Sequence, residues 1–371
     1  MLGTALAIKM IAYVGIAPIA GSLAGHVPRR SFLVTMDLIR ASVAIALPFA
    51  TQVWQIYLLI FLLQAASAAF TPTFQATVPD VLPDEGDYTR ALSLSRLAYD
   101  LENLLSPALA AALLTVISFN ALFAGTVIGF LFSALLVLSV QLPSPESTAA
   151  NVGQSFRVKT TRGIRIYLAT PRLRGLLALN LSVAAAGAMV IVNTVVLVRG
   201  VLERPDGDVA IALACFGGGS MFAALLLPSV LDRLPDRAVM ISAAGLLIAQ
   251  LVILSIILRG NASQSLWLLL LALWALMGAG YSAVQTPTGR LLRRSADTSD
   301  RPAVFAAQFA LSHACWLLTY PLAGWLGETA GLSFTALVLA VVTLVGVAGA
   351  SLMWPANEPE VIENDHPDVT S

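Results

Sequence analysis

Long apolar runs alternate with short polar segments along almost the whole chain. A bilayer core of about 30 Å needs about 20 mostly apolar helical residues, and eleven runs meet that length. They lack the short apolar–polar alternation of barrel strands, so helices are predicted. The pattern therefore predicts an all-α membrane protein with spans at residues 2–23, 31–50, 53–78, 90–117, 119–142, 173–198, 208–230, 239–259, 266–290, 302–328 and 331–354.

Composition supports a membrane protein and argues against several other classes. Of the 371 residues, 58% are hydrophobic and only 11% are charged, whereas soluble domains carry about 25% charged residues. The formal net charge is zero, which leaves no basic footprint for nucleic acid. Neither lysine, Lys9 or Lys159, belongs to a phosphate-binding G-x-x-x-x-G-K-[ST] loop. We expect a bilayer protein that is not an enzyme and holds no cofactor, metal or nucleic acid.

Arginines cluster in every second polar segment, and the alternate segments hold only Arg199, Arg204 and Arg259. The positive-inside rule therefore places the arginine-rich segments in the cytoplasm. We expect a multi-pass protein of the plasma (inner) membrane with a cytoplasmic C-terminus. The predicted organisation is an N-terminal half of five spans (1–142), a cytoplasmic central loop (143–172), a C-terminal half of six spans (173–354) and an acidic tail (355–371).

Two halves of the chain repeat one another. Segment 21–34 aligns with segment 228–241, and similar registers recur twice more, which indicates a duplication. The matched residues are Ser22 with Ser229, Pro28 with Pro235, Arg30 with Arg237, Thr71-Pro72-Thr73 with Thr286-Pro287-Thr288, and Pro107 with Pro321. The span at 173–198 has no counterpart in the first half. We expect a complete architecture of six plus six spans, with one apolar helix before residue 1; an eleven-span protein is the alternative.

The basic hairpin GSLAGHVPRR (21–30) resembles the G-x-L-A-D-R-x-G-R-R hairpin of the major facilitator superfamily. MDLIRA (36–41) and FTPTFQATVPDVLPDEG (70–86) resemble its drug- and siderophore-exporter branch. Gly25 stands where the family has an acid, and Pro107 alone is kept from its antiporter pattern in the fifth span. The resemblance implies a monomer of two pseudo-symmetric halves that rock around a midplane site.

The resemblance places gating residues at the basic hairpins and in the span that follows the first one. Asp37 and Arg40 are three residues apart, so they point the same way on a helix. We interpret them as a gate-side ion pair with the hairpin arginines; a purely structural pair is the alternative. The predicted gating residues are Gly21, Arg29, Arg30, Asp37, Arg40, Asp232, Arg233 and Arg237.

Two acids in the predicted span 90–117, Asp100 and Glu102, are candidates for the proton pathway. Arg96 lies four residues before Asp100 and pairs with it in the predicted helix. Glu102 points about 200° away from Asp100 at about 100° per residue, so we interpret it as an unpaired buried carboxylate that carries a proton. The alternative is that either acid faces the cytoplasmic vestibule.

The predicted span 302–328, which includes LSHACWLLTYPLAGW (311–325), carries a stripe at helical spacing: Phe309, His313, Trp316 and Tyr320. Such a stripe can stack on a flat or cationic organic molecule, or simply pack against neighbouring helices. We therefore expect a secondary active transporter for proton-coupled efflux of a small drug-like or siderophore-like molecule. The alternatives are a metal-cation exporter centred on His313, or a truncated membrane protein that does not transport.

Overall fold

The computed structural model describes residues 2–24, 27–113, 117–142, 156–260 and 264–356. Within these ranges the chain forms helices and no strands. The helices are α1 Leu2–Ala24, α2 Arg29–Ala46, α3 Val53–Val81, α4 Glu85–Leu113, α5 Phe119–Ser139, α6 Phe156–Ala169, α7 Pro171–Val195, α8 Asp206–Leu231, α9 Asp236–Ile257, α10 Gln264–Gln285, α11 Thr288–Arg294, α12 Arg301–Thr329 and α13 Leu332–Met353. A 3₁₀ turn (Leu47–Phe49) extends α2, and a π-helical segment (Val196–Val201) extends α7.

Every predicted span falls on a helix, with 266–290 shared between α10 and α11. In the described part of the chain, nine helices are long and apolar enough to cross a bilayer. The predicted spans 2–23 and 90–117, now α1 and α4, fall outside that set; the apolar stretch in α1 is the shorter Ile8–Leu23. The all-α prediction is confirmed.

Prolines and one glycine mark several helix ends. Pro171 and Pro302 lie in the first turns of α7 and α12, where a missing N–H costs nothing because no helical partner exists for it. Gly331 joins α12 to α13 with φ of +82°, a conformation that a side chain disfavours. Short connections of this kind make α12 and α13 antiparallel neighbours.

The helices form two bundles, α1–α5 and α7–α13. In the first, α2 packs on α3 and α5; in the second, α7 packs on α13 and α8 packs on α10. Glycines allow the closest approaches: a Cβ on Gly219 would lie 1.8 Å from the Ala275 oxygen, and one on Gly278 would lie 1.8 Å from the Phe216 oxygen. Small residues of this kind let membrane helices touch through their backbones. The bundles meet along α1–α12, α4–α8 and α3–α12.

The second part of the predicted central loop is helix α6, while residues 143–155 lie outside the description. α6 packs on α12, where a Cβ on Gly163 would lie 2.0 Å from the Ala303 oxygen. Arg162 pairs with Asp300 at 2.7 Å, and the hydrogen bond to Asp300 raises the pKa of the Arg162 guanidinium. The α6 helix is therefore tied to the C-terminal half at the end of the bundle that carries the arginine-rich segments, called the basic end below.

Candidate functional site

One buried carboxylate joins the two halves at the basic end. Asp80, near the end of α3, accepts a hydrogen bond from Arg29, the first residue of α2. It also accepts one from Arg301, the first residue of α12, at 2.5 Å. The side chain of Asp80 is only 7% exposed, so these charge-assisted bonds are shielded from water and salt.

A second ion-pair cluster joins the halves beside the first. Glu85, the first residue of α4, is bonded to Arg294 and, at 2.8 Å, to Arg290. Both arginines also pair with buried Asp236, the first residue of α9, at 3.1 Å and 3.6 Å. Across the interface, the C-terminal half thus supplies two arginines and the N-terminal half supplies Glu85.

We call Arg29, Asp80, Glu85, Asp236, Arg290, Arg294 and Arg301 the gate layer. Its charges are inverted between the two repeats. At the start of α2 the first repeat has Arg29, and at the start of α9, 207 positions later, the second has Asp236. At the ends of α3 and α11 the residues are Asp80 and Arg294, respectively. At the starts of α4 and α12 they are Glu85 and Arg301. The pair Arg29–Asp80 therefore has a sign-reversed twin in Asp236–Arg294.

Three predicted gating residues come from the first hairpin, and they lie in different surroundings. Arg29 belongs to the gate layer. Arg30 is exposed and donates to the backbone oxygen of Leu138 in its own half. Gly21 lies at the α1–α12 contact, where a Cβ would come within 2.5 Å of the Ala306 Cβ.

The predicted gating residues of the second hairpin lie on the surface of the C-terminal half. Asp232 and Arg233 are exposed in the turn between α8 and α9. Arg237 donates to the backbone oxygens of Trp354 at 2.9 Å and Ser351 at 3.2 Å. The structure thus places Arg237 against the end of α13, and the contact with the other half is made by Arg294, two helices further along the chain.

The structure brings Asp37 together with Arg40, but not with the hairpin arginines. Asp37 is fully buried, is bonded to Arg40, and accepts a hydrogen bond from Ser133 of α5 at 2.8 Å. The Arg40 guanidinium lies over the rings of Phe70 at 4.0 Å and Phe130 at 4.7 Å. Asp37 is eight residues beyond the first residue of α2, about 12 Å along the axis, and this rise carries the pair away from the gate layer into the N-terminal bundle.

Asp100, in the middle of α4, lies at a contact between the halves. It is bonded to Arg96 at 2.7 Å and accepts a hydrogen bond from the hydroxyl of Ser220 on α8. The Arg96 guanidinium also lies 4.5 Å from the ring centroid of Tyr281 on α10. Glu102, in contrast, is exposed, so the expectation of a buried carboxylate at that position does not hold: the helical angle that separates it from Asp100 turns it away from this contact.

The aromatic stripe of α12 divides between two neighbourhoods. On one side, Phe309 and His313 have ring centroids 4.2 Å apart, and both rings contact Tyr13 of α1, at 4.9 Å and 4.7 Å. The His313 Nδ1 is bonded to the Phe309 backbone oxygen at 2.7 Å. This part of the stripe faces the N-terminal half.

The other part of the stripe faces the C-terminal half. Trp316 and Tyr320 have ring centroids 5.0 Å apart, and Tyr281 lies 6.3 Å from Trp316. A Cβ on Gly187 would come within 2.3 Å of the Trp316 ring, so this indole is fixed by packing. Tyr281 connects the stripe to Arg96 and hence to Asp100 of the other half.

Three polar residues near the stripe were not among the predicted site residues. Tyr13 donates to Gln64 of α3 at 3.0 Å, and the Lys9 ammonium lies 5.5 Å from the Tyr13 ring centroid. In the described part of the chain, no carboxylate pairs with Lys9. The i, i+4 spacing of Lys9 and Tyr13 in an otherwise apolar span is the signal in the sequence that points to them.

The described residues hold no group of three or more His, Cys, Asp or Glu side chains that is arranged to bind a metal ion. Among these residues, His313 contacts the rings of Tyr13 and Phe309 and pairs with no carboxylate. The arrangement places aromatic and polar side chains of both halves at one interface, with ion pairs that join the halves at the basic end.

Comparison with known proteins identifies the family. The model described as "Major Facilitator Superfamily" matches residues 1–203 and 204–369. Macrolide efflux protein A of Enterococcus faecalis is 22% identical over 77% of this chain and 90% of its own length. The uncharacterized MFS-type transporter YfiS of Bacillus subtilis is 21% identical over 89% of this chain and 81% of its own.

Solved structures of the same fold confirm the architecture. The Escherichia coli fucose:proton symporter FucP aligns with a TM-score of 0.72 at 16% identity, over 95% of this chain and 90% of its own. The human organic anion transporter MFSD10 aligns with a TM-score of 0.74 at 14% identity, over 94% and 82%. The predicted resemblance is confirmed: this chain belongs to the major facilitator superfamily and is a multi-pass membrane transporter, not an enzyme.

Proposed function

We propose that this chain exports a small organic molecule from a bacterial cytoplasm across the plasma membrane, driven by the proton gradient. The gate layer is the observation that carries the proposal. It consists of ion pairs that link the halves at the basic end, which we assign to the cytoplasmic face with the C-terminus on the same side. Export requires such an end to open to load cargo and to close behind it.

The two ends of the bundle differ in how the halves are held. At the basic end, Asp80 and Glu85 cross between the halves. At the other end, the ion pairs of the described residues, Arg199–Asp206 and Arg204–Asp208, each stay within the C-terminal half. This conformation is therefore closed at the basic end. A rocking cycle has to break both cross-half clusters together, since each half moves as a packed body.

The aromatic stripe supports an organic cargo. Tyr13, Tyr281 and the stripe place ring faces from both halves near one interface, and such faces bind flat or cationic molecules by stacking. The macrolide efflux relatives favour a drug-like cargo. Gln64 and Lys9 add polar contacts on the N-terminal side.

Asp100 is the stronger candidate for the proton step, and Glu102 is the second. Protonation of Asp100 removes its charge attraction to Arg96 and weakens the bond with Ser220 across the α4–α8 contact. Loss of that contact favours separation of the halves at this depth. A proton on Asp100 would thus be coupled to rocking through a contact that both halves share.

The test uses the purified protein in proteoliposomes, with a macrolide and a fluorescent organic dye as cargo. Downhill exchange of each cargo is measured by counterflow, and uphill export is measured under an imposed pH gradient. We expect uphill export that a protonophore abolishes. Asp100→Asn should retain downhill exchange but lose uphill export. Glu102→Gln tests the second candidate in the same way, and Asp87→Asn on the exposed start of α4 is the matched control.

Protonophore-insensitive uphill export would contradict proton coupling. If neither cargo moves in either direction while the protein remains folded by circular dichroism, the non-transporting alternative replaces the proposal for these cargo classes. An Asp100→Asn protein that still concentrates cargo would remove Asp100 from the coupling step.

A further inference from the structure

A cavity of about 340 Å³ opens at the basic end of the C-terminal half, next to the gate layer. The cavity lies among the α8–α9 turn, α11 and the end of α13. Its lining is dominated by five arginines: Arg172, Arg233, Arg237, Arg290 and Arg294. Two aspartates, Asp232 and Asp236, are the acids among its lining residues.

The positive charge of this cavity is not balanced by its own acids. Asp236 is shared between Arg290 and Arg294, and Arg233 forms no ion pair among the described residues. Arg290 is 8% exposed, and its Nε lies 3.6 Å from a carboxylate oxygen of Asp236, which is too long for a hydrogen bond. Guanidinium groups gathered in this way favour a ligand that offers several carboxylate or phosphate oxygens.

The segment that follows α13 forms part of the wall of this cavity. Trp354, Pro355 and Ala356, which follow α13, are among the lining residues. Arg237 fixes this segment by donating to the backbone oxygens of Trp354 and Ser351. The residues that come next therefore start beside the arginines, whatever direction they take.

The next segment, 357–371, carries five acids and no lysine or arginine: Glu358, Glu360, Glu363, Asp365 and Asp368. An extended residue spans about 3.3–3.6 Å, so Glu358 reaches about 7 Å from Ala356 and Glu360 about 14 Å. Glu358 can therefore reach the arginines beside the wall where α13 ends, and the chain to Glu360 is long enough to cross the cavity. Attachment at the wall also gives these carboxylates an effective concentration in the millimolar range or above.

We propose that the acidic segment 357–371 binds in the arginine cavity through its carboxylates, with Glu358 and Glu360 as the first contacts. The cavity arginines Arg290 and Arg294 are also the residues that hold Glu85 of the other half. Tail carboxylates and Glu85 therefore compete for the same guanidinium groups. Tail binding weakens the closed gate, and gate closure weakens tail binding, by the same factor.

A disulfide-trapping experiment on the full chain tests the proposal. Cys215 and Cys315 are first replaced by alanine, and Val361→Cys is combined with Leu234→Cys, an exposed residue of the cavity lining. The control pairs Val361→Cys with Leu138→Cys, an exposed residue at the basic end of the other half. We expect rapid disulfide formation at Leu234 and slow formation at Leu138.

Charge variants show whether carboxylates are responsible. Replacing the five tail acids by Gln or Asn should reduce the Leu234 disulfide to the Leu138 level, raised ionic strength should slow it, and Glu85→Gln should speed it by removing the competitor. Equal yields at the two positions, or a yield at Leu234 that is unchanged by neutralisation, would overturn the proposal. So would a Leu234 disulfide that forms in phosphatidylcholine nanodiscs and disappears in phosphatidylglycerol nanodiscs, because anionic headgroups would then be the preferred occupant.

Discussion

Asp80 on α3 and Arg301 on α12 are 221 residues apart in sequence, yet their side chains are 2.5 Å apart across the interface between the halves. The Asp80 side chain is 7% exposed and the Arg301 side chain is 12% exposed, and Asp80 also pairs with Arg29 of its own half. One carboxylate therefore bonds two guanidinium groups, and the charge of the cluster Arg29–Asp80–Arg301 is +1. Removal of that carboxylate leaves both guanidinium groups without a partner.

Asp80→Asn should open the basic end. Loss of a buried partner typically costs about 3–5 kcal/mol, and here the loss falls on the closed conformation. Spin labels at exposed Leu138 and Leu234, one in each half, should report a longer and broader distance distribution. Asp87→Asn removes an exposed pair with Arg90, worth about 0.5 kcal/mol or less, and should leave the distribution as in the unaltered protein. An unaltered distribution for Asp80→Asn would show that the cluster at Glu85 suffices for closure.

The two neighbouring arginines of the first hairpin should differ in importance. Arg29 is 4% exposed and bonded to Asp80, whereas Arg30 is exposed and bonded to a backbone oxygen. Arg29→Ala should reduce export per folded molecule by at least tenfold, about 1.4 kcal/mol, and Arg30→Ala by much less. The measurement is initial export rate normalised to the protein found in the membrane. Equal losses would mean that the hairpin acts through its charge on topology and not through Asp80.

Gly21→Ala should destabilise the closed basic end. The added methyl group would lie 2.5 Å from the Ala306 Cβ and 3.2 Å from the Pro302 backbone oxygen, and overpacking of this kind costs about 1–3 kcal/mol. Gly15 lies on the same helix, and a Cβ there meets nothing within 4 Å, so Gly15→Ala is the matched control. We expect the Leu138–Leu234 label distance to increase in the first variant alone. A shift in both variants would point to helix propensity and not to the contact.

Asp37→Asn should reduce stability without changing the coupling of transport. It leaves Arg40 buried between Phe70 and Phe130 without its acid, and the same range of about 3–5 kcal/mol applies. Ser133→Ala removes one hydrogen bond to Asp37 and should cost about 1 kcal/mol. Thermal unfolding in detergent measures both effects. A shifted pH profile of export in Asp37→Asn would assign the pair a place in the transport cycle.

Apolar run lengths sufficed to predict the spans, because a membrane core imposes a minimum length on every helix that crosses it. The arginine-rich hairpins were also recognisable, and the gate layer does contain Arg29. Two of its acids, Asp80 and Glu85, belong to the motif at 70–86, but the sequence alone indicates no role for them. Asp80 and Glu85 flank a polar turn, where an acid is common and its partners are not evident from the sequence.

The partners could not be predicted because they depend on how helices pack across long sequence separations. Arg294 meets Glu85, and Arg301 meets Asp80, only because α11 and α12 dock against the ends of α3 and α4. Likewise, helical spacing gave the stripe from Phe309 to Tyr320 but not its division between Tyr13 and Tyr281. Glu102 shows the converse: its angle to Asp100 was predictable, but which side faced the other half was not.

The inverted signs of the gate layer also bear on which halves can assemble. If two N-terminal halves faced each other in this geometry, Asp80 of one would meet Glu85 of the other, acid against acid. Two C-terminal halves would bring Arg294 against Arg301. Like charges at such a contact repel by several kcal/mol. Each half is therefore electrostatically complementary to the other half and not to a second copy of itself. When the two halves are expressed as separate fragments, we expect the heterodimer to form and neither homodimer.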